Sequence, residues 1–207
     1  MKYKFDPKDL TEEKSLWDIY KKAYIIFPNK LQIAIVLAVA TCLAINAFIL
    51  EKNSTILLEN VRAWSSIGFN FSITTLGFLI AGFTIFATLT KPDMMLAMMD
   101  HSNKEYNLPT LKYNFFVFIK VFISYIFFSV MYVLILLLGQ KGGFLTNVID
   151  LIPNPTCMKL ALIKISYVFI GSSFVHLLLQ LKSFIFNIYM IVMNMLRWEH
   201  REHNANK

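Results

Sequence analysis

The chain has 207 residues and a formal net charge of +7; 57% of its residues are hydrophobic and only 16% are charged. An average soluble domain has about 25% charged residues, which keep its exterior polar. Here the charges lie in blocks between long uncharged runs, which excludes a lone water-soluble domain and predicts an all-α integral membrane protein.

The N-terminal segment, residues 1–30, is polar and has no apolar run typical of a signal peptide, so we expect it to remain on the mature protein. Asp9 and Glu12 have the D-x-x-E spacing of a helix cap, and Pro28 ends the pattern. Between them, apolar residues recur at helical spacing: Leu16, Trp17, Tyr20 and Tyr24. The pattern predicts a short cytoplasmic amphipathic helix. It lies either at the inner membrane surface or against the cytoplasmic ends of the other helices.

Four stretches are long and apolar enough to cross about 30 Å of hydrocarbon as helices. They are residues 31–50, 67–89, 113–138 and 160–186. Seven lysines precede the first span, three lie between the second and third spans, and three basic residues follow the fourth. The first and third connections have two basic residues each. The positive-inside rule then places both termini and residues 90–112 in the cytoplasm. No internal repeat or low-complexity linker divides the chain, which predicts one four-span domain over 1–207.

The two outward connections, 51–66 and 139–159, have amphipathic patterns. The first has Leu57, Val61 and Trp64 at helical spacing, and the second has Leu145, Val148, Ile149 and Ile152. Both are expected to lie on the outer leaflet, either as ordinary anchors or as a surface that senses membrane disturbance.

The second span ends in the sequence GFLIAGFTIFATLTKPDMMLAMMD. Gly77, Ala81 and Gly82 have the spacing of small residues that permit close helix packing. Lys91 and Pro92 mark the exit into the cytoplasm. A short helix with four methionines follows, in which Met94/Met98 and Met95/Met99 are i,i+4 pairs. Methionine adapts to irregular partners but also fills gaps in a core, so partner docking and self-packing both remain open.

The fourth segment has no proline between Leu160 and Trp198. A continuous helix there is about 58 Å long, nearly twice the hydrocarbon thickness. Residues 187–207 are therefore predicted to form a cytoplasmic helical stalk and tail. Its apolar side chains must pack against another surface, which is residues 90–112, the N-terminal helix, sister subunits or a soluble partner. The candidate partner or oligomer contacts on it are Met190, Met193, Met195 and Trp198.

Lys120, His176 and Asn70 are the candidate polar sites within the spans. Lys120 either extends its ammonium to the inner surface or takes part in a channel. Ser172 and Ser173 precede His176 on one helix face, but no carboxylate lies in any span to complete a hydrolase site, so interhelical hydrogen bonding is expected.

No catalytic residue, metal site or cofactor-binding motif is predicted, and Cys42 and Cys157 are badly placed to pair. The basic residues are scattered along the predicted inner membrane edges, where lipid headgroups account for them, so direct nucleic-acid binding is not expected.

The chain length, the four spans with both termini inside, and the run GFLIAGFTIFATLTKP followed by an inner helix resemble the membrane subunit of the Kiwa anti-phage defence system. The resemblance implies a non-enzymatic, oligomeric inner-membrane sensor that docks a cytoplasmic DNA-binding effector. Two alternatives come from the residues themselves. One is an ion channel or pore-forming effector lined by Lys120, Asn70 and His176. The other is an immunity or superinfection-exclusion protein that acts through residues 139–159.

Overall fold

The computed structural model describes residues 5–24, 26, 29–103, 106–140 and 142–205. Four helices in this part of the chain are long and apolar enough to cross a membrane: Lys30–Leu50, Ser54–Thr88, Thr110–Leu138 and Pro155–Arg201. The predicted all-α membrane fold is confirmed. Pro28 and five of the lysines counted for orientation lie outside the described residues: Lys2, Lys4, Lys104, Lys141 and Lys207.

The elements follow one another with short connections. In chain order they are a 3-10 turn Pro7–Thr11, α1 Leu16–Tyr24, α2 Lys30–Ile45 with a π-helical turn Asn46–Leu50, α3 Ser54–Leu89, α4 Pro92–Asp100, β1 Ser102–Asn103, β2 Leu108–Pro109, α5 Thr110–Leu138, α6 Phe144–Asp150 and α7 Pro155–Ala205. The two strands pair antiparallel, with Ser102 opposite Pro109.

The cap of α1 differs from the predicted one. Asp9 belongs to the preceding 3-10 turn, where its carboxylate accepts a hydrogen bond from the Asp6 amide at 3.0 Å. Helix α1 is capped by Ser15 and Asp18 instead, and each side chain accepts a hydrogen bond from the other residue's amide at 3.1 Å. The predicted Asp9/Glu12 cap was therefore wrong, because the S-x-x-D box nearer the helix satisfies its first amides.

Helix α3 begins at Ser54, thirteen residues before the predicted start of the second span at residue 67. The segment 51–66 was expected to lie on the outer leaflet, but most of it forms the first turns of this helix. Leu57 and Val61 are buried there against the protein. Hydropathy did not predict this continuity because Arg62 is charged. Its guanidinium donates to the Gly139 carbonyl, with Nη2 at 2.6 Å, which satisfies it within the fold.

The segment 139–159 contains the seven-residue helix α6. Ile149 is buried, but Val148 and Ile152, which were predicted to share its apolar face, are exposed. Helix α7 has 51 residues without a break, so it is about 77 Å long. The predicted continuity from Leu160 to Trp198 is confirmed.

The chain forms two compact units, and we name each after one helix that lies entirely within it. The α4 unit contains the described residues within 1–27, 78–123 and 180–207. The α2 unit contains those within 28–77 and 124–179. Helices α3, α5 and α7 contribute segments to both. The prediction of a single domain over 1–207 stays a prediction.

Aromatic rings dominate the core of the α4 unit. The Phe118 ring lies 5.1 Å from Phe184 and 5.5 Å from Phe86, measured between centroids, and it is fully buried. Phe83 packs its edge on the same ring at 5.9 Å. Edge-to-face contacts of this kind stabilise beyond the burial of area. They join segments of α3, α5 and α7 within the α4 unit.

In the α2 unit, buried hydroxyls form hydrogen bonds between helices. Tyr132 Oη lies 2.8 Å from Ser173 Oγ, and Tyr125 donates to the Leu177 carbonyl at 2.8 Å. Both tyrosines have no exposed surface. These bonds tie α5 to α7 where the side chains have no water to bond.

Candidate docking cleft

The three candidate polar sites of the spans have separate surroundings. Lys120, in the α4 unit, donates to the backbone carbonyl of Ile26, which follows α1. Its ammonium therefore contacts the N-terminal segment. Asn70 and His176 belong to the α2 unit. Asn70 is exposed, and the His176 ring lies 5.7 Å from the Phe128 ring.

The two serines near His176 bond to other groups. Ser172 donates to the Val168 carbonyl at 2.7 Å, and Ser173 lies 2.8 Å from both Tyr132 Oη and the Ile170 carbonyl. The expected interhelical hydrogen bonding is therefore made by Ser173. A further hydrogen bond between helices is made by Asn46, which donates to Tyr167 Oη at 2.9 Å.

The closest approaches between helices occur at Gly68 and Gly171, which were not predicted. Gly77 and Ala81 are exposed, and a Cβ added at Gly77 would meet nothing within 4 Å. A Cβ at Gly82 would make ordinary contact with Ile188 at 3.5 Å. At Gly68, by contrast, it would lie 2.8 Å from the Tyr132 ring. Gly68 and Ser72 have the same small-xxx-small spacing, which could have identified the site in the sequence.

Gly171 was also missed, although a Cβ there would overlap Leu43 and lie 3.1 Å from Trp64. The residues four positions before and after it are Tyr167 and Val175, so no small-xxx-small spacing marks it in the sequence.

The N-terminal segment is attached to α5 by a cluster of charges. Lys112 Nζ lies 2.9 Å from Glu13 and 3.2 Å from Glu12, and Lys22 Nζ lies 2.8 Å and 2.7 Å from the same carboxylates. Beside the cluster, Ala23, Ile26 and Phe116 form an apolar core. The N-terminal segment that includes α1 thus packs against α5, while a position of α1 at the membrane surface stays a prediction. Trp17 and Tyr24 remain exposed on its other side.

The charge cluster shifts the pKa of its carboxyls. Hydrogen bonds from Lys22 and Lys112 lower the pKa of Glu12. Burial acts to raise the pKa of Glu13, but the same two lysines outweigh it, and the pKa of Glu13 is also lowered. Both carboxylates are therefore held in the charged form that attaches the N-terminal segment.

The methionine helix begins with Pro92 at its first turn, where a missing amide hydrogen costs nothing. Met94 and Met99 are buried, while Met95 and Met98 are partly exposed. The four side chains therefore divide: two pack in the α4 unit, and two remain available at its surface. Burial of Met94 and Met99 supports self-packing, while docking at Met95 and Met98 stays a prediction.

The end of α7 packs beside α4. Lys91 Nζ lies 2.7 Å from Glu199 Oε1, and Thr90 Oγ1 lies 3.6 Å from Met195 Sδ. These contacts bring Trp198 next to the methionine helix, while Met190 and Met193 are exposed elsewhere on α7. The predicted candidate contacts of α7 are thus separated onto different faces.

A cleft of about 430 Å³ lies between these two helices, and we call it the α4–α7 cleft. It is lined by Met94, Ala97, Met98, His101, Thr110, Asn194, Arg197, Trp198 and Arg201. No aspartate or glutamate is among these residues. The cleft thus combines an apolar surface of methionine and tryptophan with cationic side chains, and its volume is within the range of ligand-binding pockets. The two arginines, which we had counted only for orientation, were missed as site residues.

No protein-family model, curated protein or solved structure matches this chain. Its function is therefore argued from its own residues and from the resemblance in plan.

Proposed function

We propose that this chain is a non-enzymatic sensor or scaffold of the bacterial inner membrane that docks a soluble cytoplasmic effector in anti-phage defence. The observation that carries the proposal is the α4–α7 cleft. The balance of basic residues in the connections supports a cytoplasmic position for it, because the cleft is lined by residues of the second connection, 90–112, and of the C-terminal stalk and tail, 187–207.

The side chains of the cleft suit a protein partner. Methionine side chains adapt their shape to irregular surfaces, and Met98 is partly exposed at the cleft. Tryptophan and arginine are the residues most enriched among those that dominate binding energy at protein interfaces. Trp198 lies between Arg197 and Glu199 in sequence and lines the cleft with the arginine. The resemblance to the Kiwa membrane subunit supports the same role and suggests an effector that binds DNA.

A second surface supports an oligomer of this chain. Exposed apolar residues recur every three or four positions along α7: Ile185, Phe186, Tyr189, Met190, Met193 and Leu196. This spacing places them on one stripe of the helix, as in helices that pack against a like partner. The cleft and the stripe are thus proposed to serve different partners.

Co-purification tests the proposal. The chain is extracted from its native host in mild detergent, and soluble proteins that accompany it are identified by mass spectrometry. Met98→Glu should remove a soluble partner by placing a carboxylate beside the apolar cleft, while membrane insertion persists. The matched control is Met193→Glu, which adds the same charge on the stripe. It should weaken the oligomer and leave the soluble partner bound.

Retention of the same soluble proteins by Met98→Glu and the wild type would contradict docking at the cleft. The same preparation tests the ion-channel alternative in planar bilayers. A current that Lys120→Leu abolishes would favour that alternative.

A further inference from the structure

The cations of the α4–α7 cleft have an ordered arrangement. Arg197 and Arg201 are one helical turn apart on α7, a separation that places their Cβ atoms about 5–6 Å apart. Both are exposed, and neither is ion-paired with a carboxylate among the described residues. His101 lies at the opposite wall, after the end of α4. Two exposed guanidinium groups therefore have hydrogen-bond donors available at this surface.

The apolar side of the cleft is formed by methionine, alanine and tryptophan side chains. Met94 is buried at the cleft, Met98 and Trp198 are partly exposed, and Ala97 leaves space between the methionines. The cleft wall at the end of α4 is held by two hydrogen bonds to the His101 carbonyl. Thr110 donates one from its amide at 2.7 Å and one from its hydroxyl at 2.8 Å. An occupant must therefore have bulky apolar groups on one face and negative charge beside them.

From this complementarity we propose that the segment docked in the α4–α7 cleft is an acidic amphipathic helix of the soluble partner. Its apolar face contacts Met98 and Trp198, and two carboxylates one turn apart pair with Arg197 and Arg201. A carboxylate accepts the two parallel N–H donors of a guanidinium, and helical i,i+4 spacing matches the spacing of the arginines. The inference rests on the proposed function and specifies the chemistry of the partner.

The number of cations argues against other anionic occupants. Nucleic-acid binding proteins typically neutralise about 6–10 phosphates, and lipid-recognising clusters contain about 4–8 basic residues. The cleft has two arginines and one histidine. A short acidic helix needs only two cations, because much of its contact is apolar.

Two synthetic amphipathic helices test the inference, with the full-length protein in phosphatidylcholine nanodiscs. They have the same leucine-rich face and differ in having glutamates or lysines on the polar face. Fluorescence anisotropy should show saturable binding of the acidic peptide, weakened by salt, and at least about tenfold weaker binding of the basic peptide. Empty nanodiscs correct for direct binding of either peptide to lipid.

Charge variants identify the site of binding. Arg197→Glu/Arg201→Glu should reverse the preference between the two peptides, and Arg197→Gln/Arg201→Gln should reduce acidic-peptide binding without favouring the basic one. The matched control is Lys14→Glu/Lys21→Glu, which changes the net charge equally at exposed positions in the N-terminal segment. It should keep the wild-type preference.

Equal binding of both peptides, or binding of neither, would overturn the inference. Loss of acidic-peptide binding when phosphatidylglycerol replaces the neutral lipid would also overturn it, because lipid headgroups would then occupy the cleft. If Met98→Glu still removes the soluble partner, such results refute only the acidic character of the segment. If Met98→Glu retains the partner, the proposed function itself fails.

Discussion

Gly68→Ala is expected to destabilise the protein although alanine favours helices over glycine. The new Cβ would lie 2.8 Å from Tyr132 Cε2 and Cζ, whereas carbon atoms in contact prefer about 3.5–4.0 Å. The ring would have to move by roughly 0.7 Å or more to restore that separation. It is fully buried, and its hydroxyl is hydrogen-bonded to Ser173 at 2.8 Å, which opposes the movement. Overpacking of this kind costs about 1–3 kcal/mol.

Gly77→Ala provides the matched control, since a Cβ there meets nothing within 4 Å. Both substitutions gain up to about 1 kcal/mol of helix propensity, so the difference between them isolates the overlap at Tyr132. Unfolding in mixed dodecyl sulfate micelles should show Gly68→Ala to be less stable than Gly77→Ala by about 1–3 kcal/mol. In the double variant Gly68→Ala/Tyr132→Leu, removing the ring should eliminate most of this difference. Equal stabilities of the two alanine variants, or independent effects of Gly68→Ala and Tyr132→Leu, would refute the packing argument.

Three further predictions concern the N-terminal segment and the helix contacts. Lys112→Met removes one partner of the buried Glu13 carboxylate and should release the segment, which limited proteolysis would detect as faster cleavage before residue 24. The pKa values of Glu12 and Glu13 are lowered from 4.5. Their contribution to holding the N-terminal segment on α5 is therefore present above about pH 4.5 and is lost as the pH falls through the lowered values. The protection factors of the α1 amides, which correct for the intrinsic pH dependence of exchange, should therefore fall only at acid pH, and unchanged protection factors there would refute the charge cluster. A double-mutant cycle of Asn46→Ala and Tyr167→Phe should give a coupling of about 0.6 kcal/mol, and no coupling would contradict their hydrogen bond.

Hydropathy and proline placement predicted the long elements correctly. The continuity of α7 follows from a run without proline, and α4 follows from Pro92 and the apolar residues after it. Hydropathy failed at the start of α3, because Arg62 lowers the local average although its guanidinium is satisfied by a carbonyl of the chain. A charge that finds its partner 77 positions away cannot be recognised from the residues around it.

The candidate site was predictable only in part. The methionines could be identified because their i,i+4 spacing is local, but their division into buried and exposed pairs depends on where α7 packs. The role of Arg197 and Arg201 depends on α4 lying beside them, which local spacing does not specify. Small-residue spacing is similarly ambiguous: Gly77 and Gly68 both satisfy it, and only the position of Tyr132 distinguishes them.

Photo-crosslinking in intact host cells tests the docking claim most directly. A photoreactive amino acid replaces Met98 at the cleft, or Ile126 as a control, an exposed apolar residue of α5 in the other unit. We expect Met98 to crosslink to a soluble protein, and Arg197→Glu/Arg201→Glu to abolish that crosslink. Ile126 should crosslink only to lipid or to this chain. Crosslinks from Met98 confined to lipid and to this chain would contradict the account.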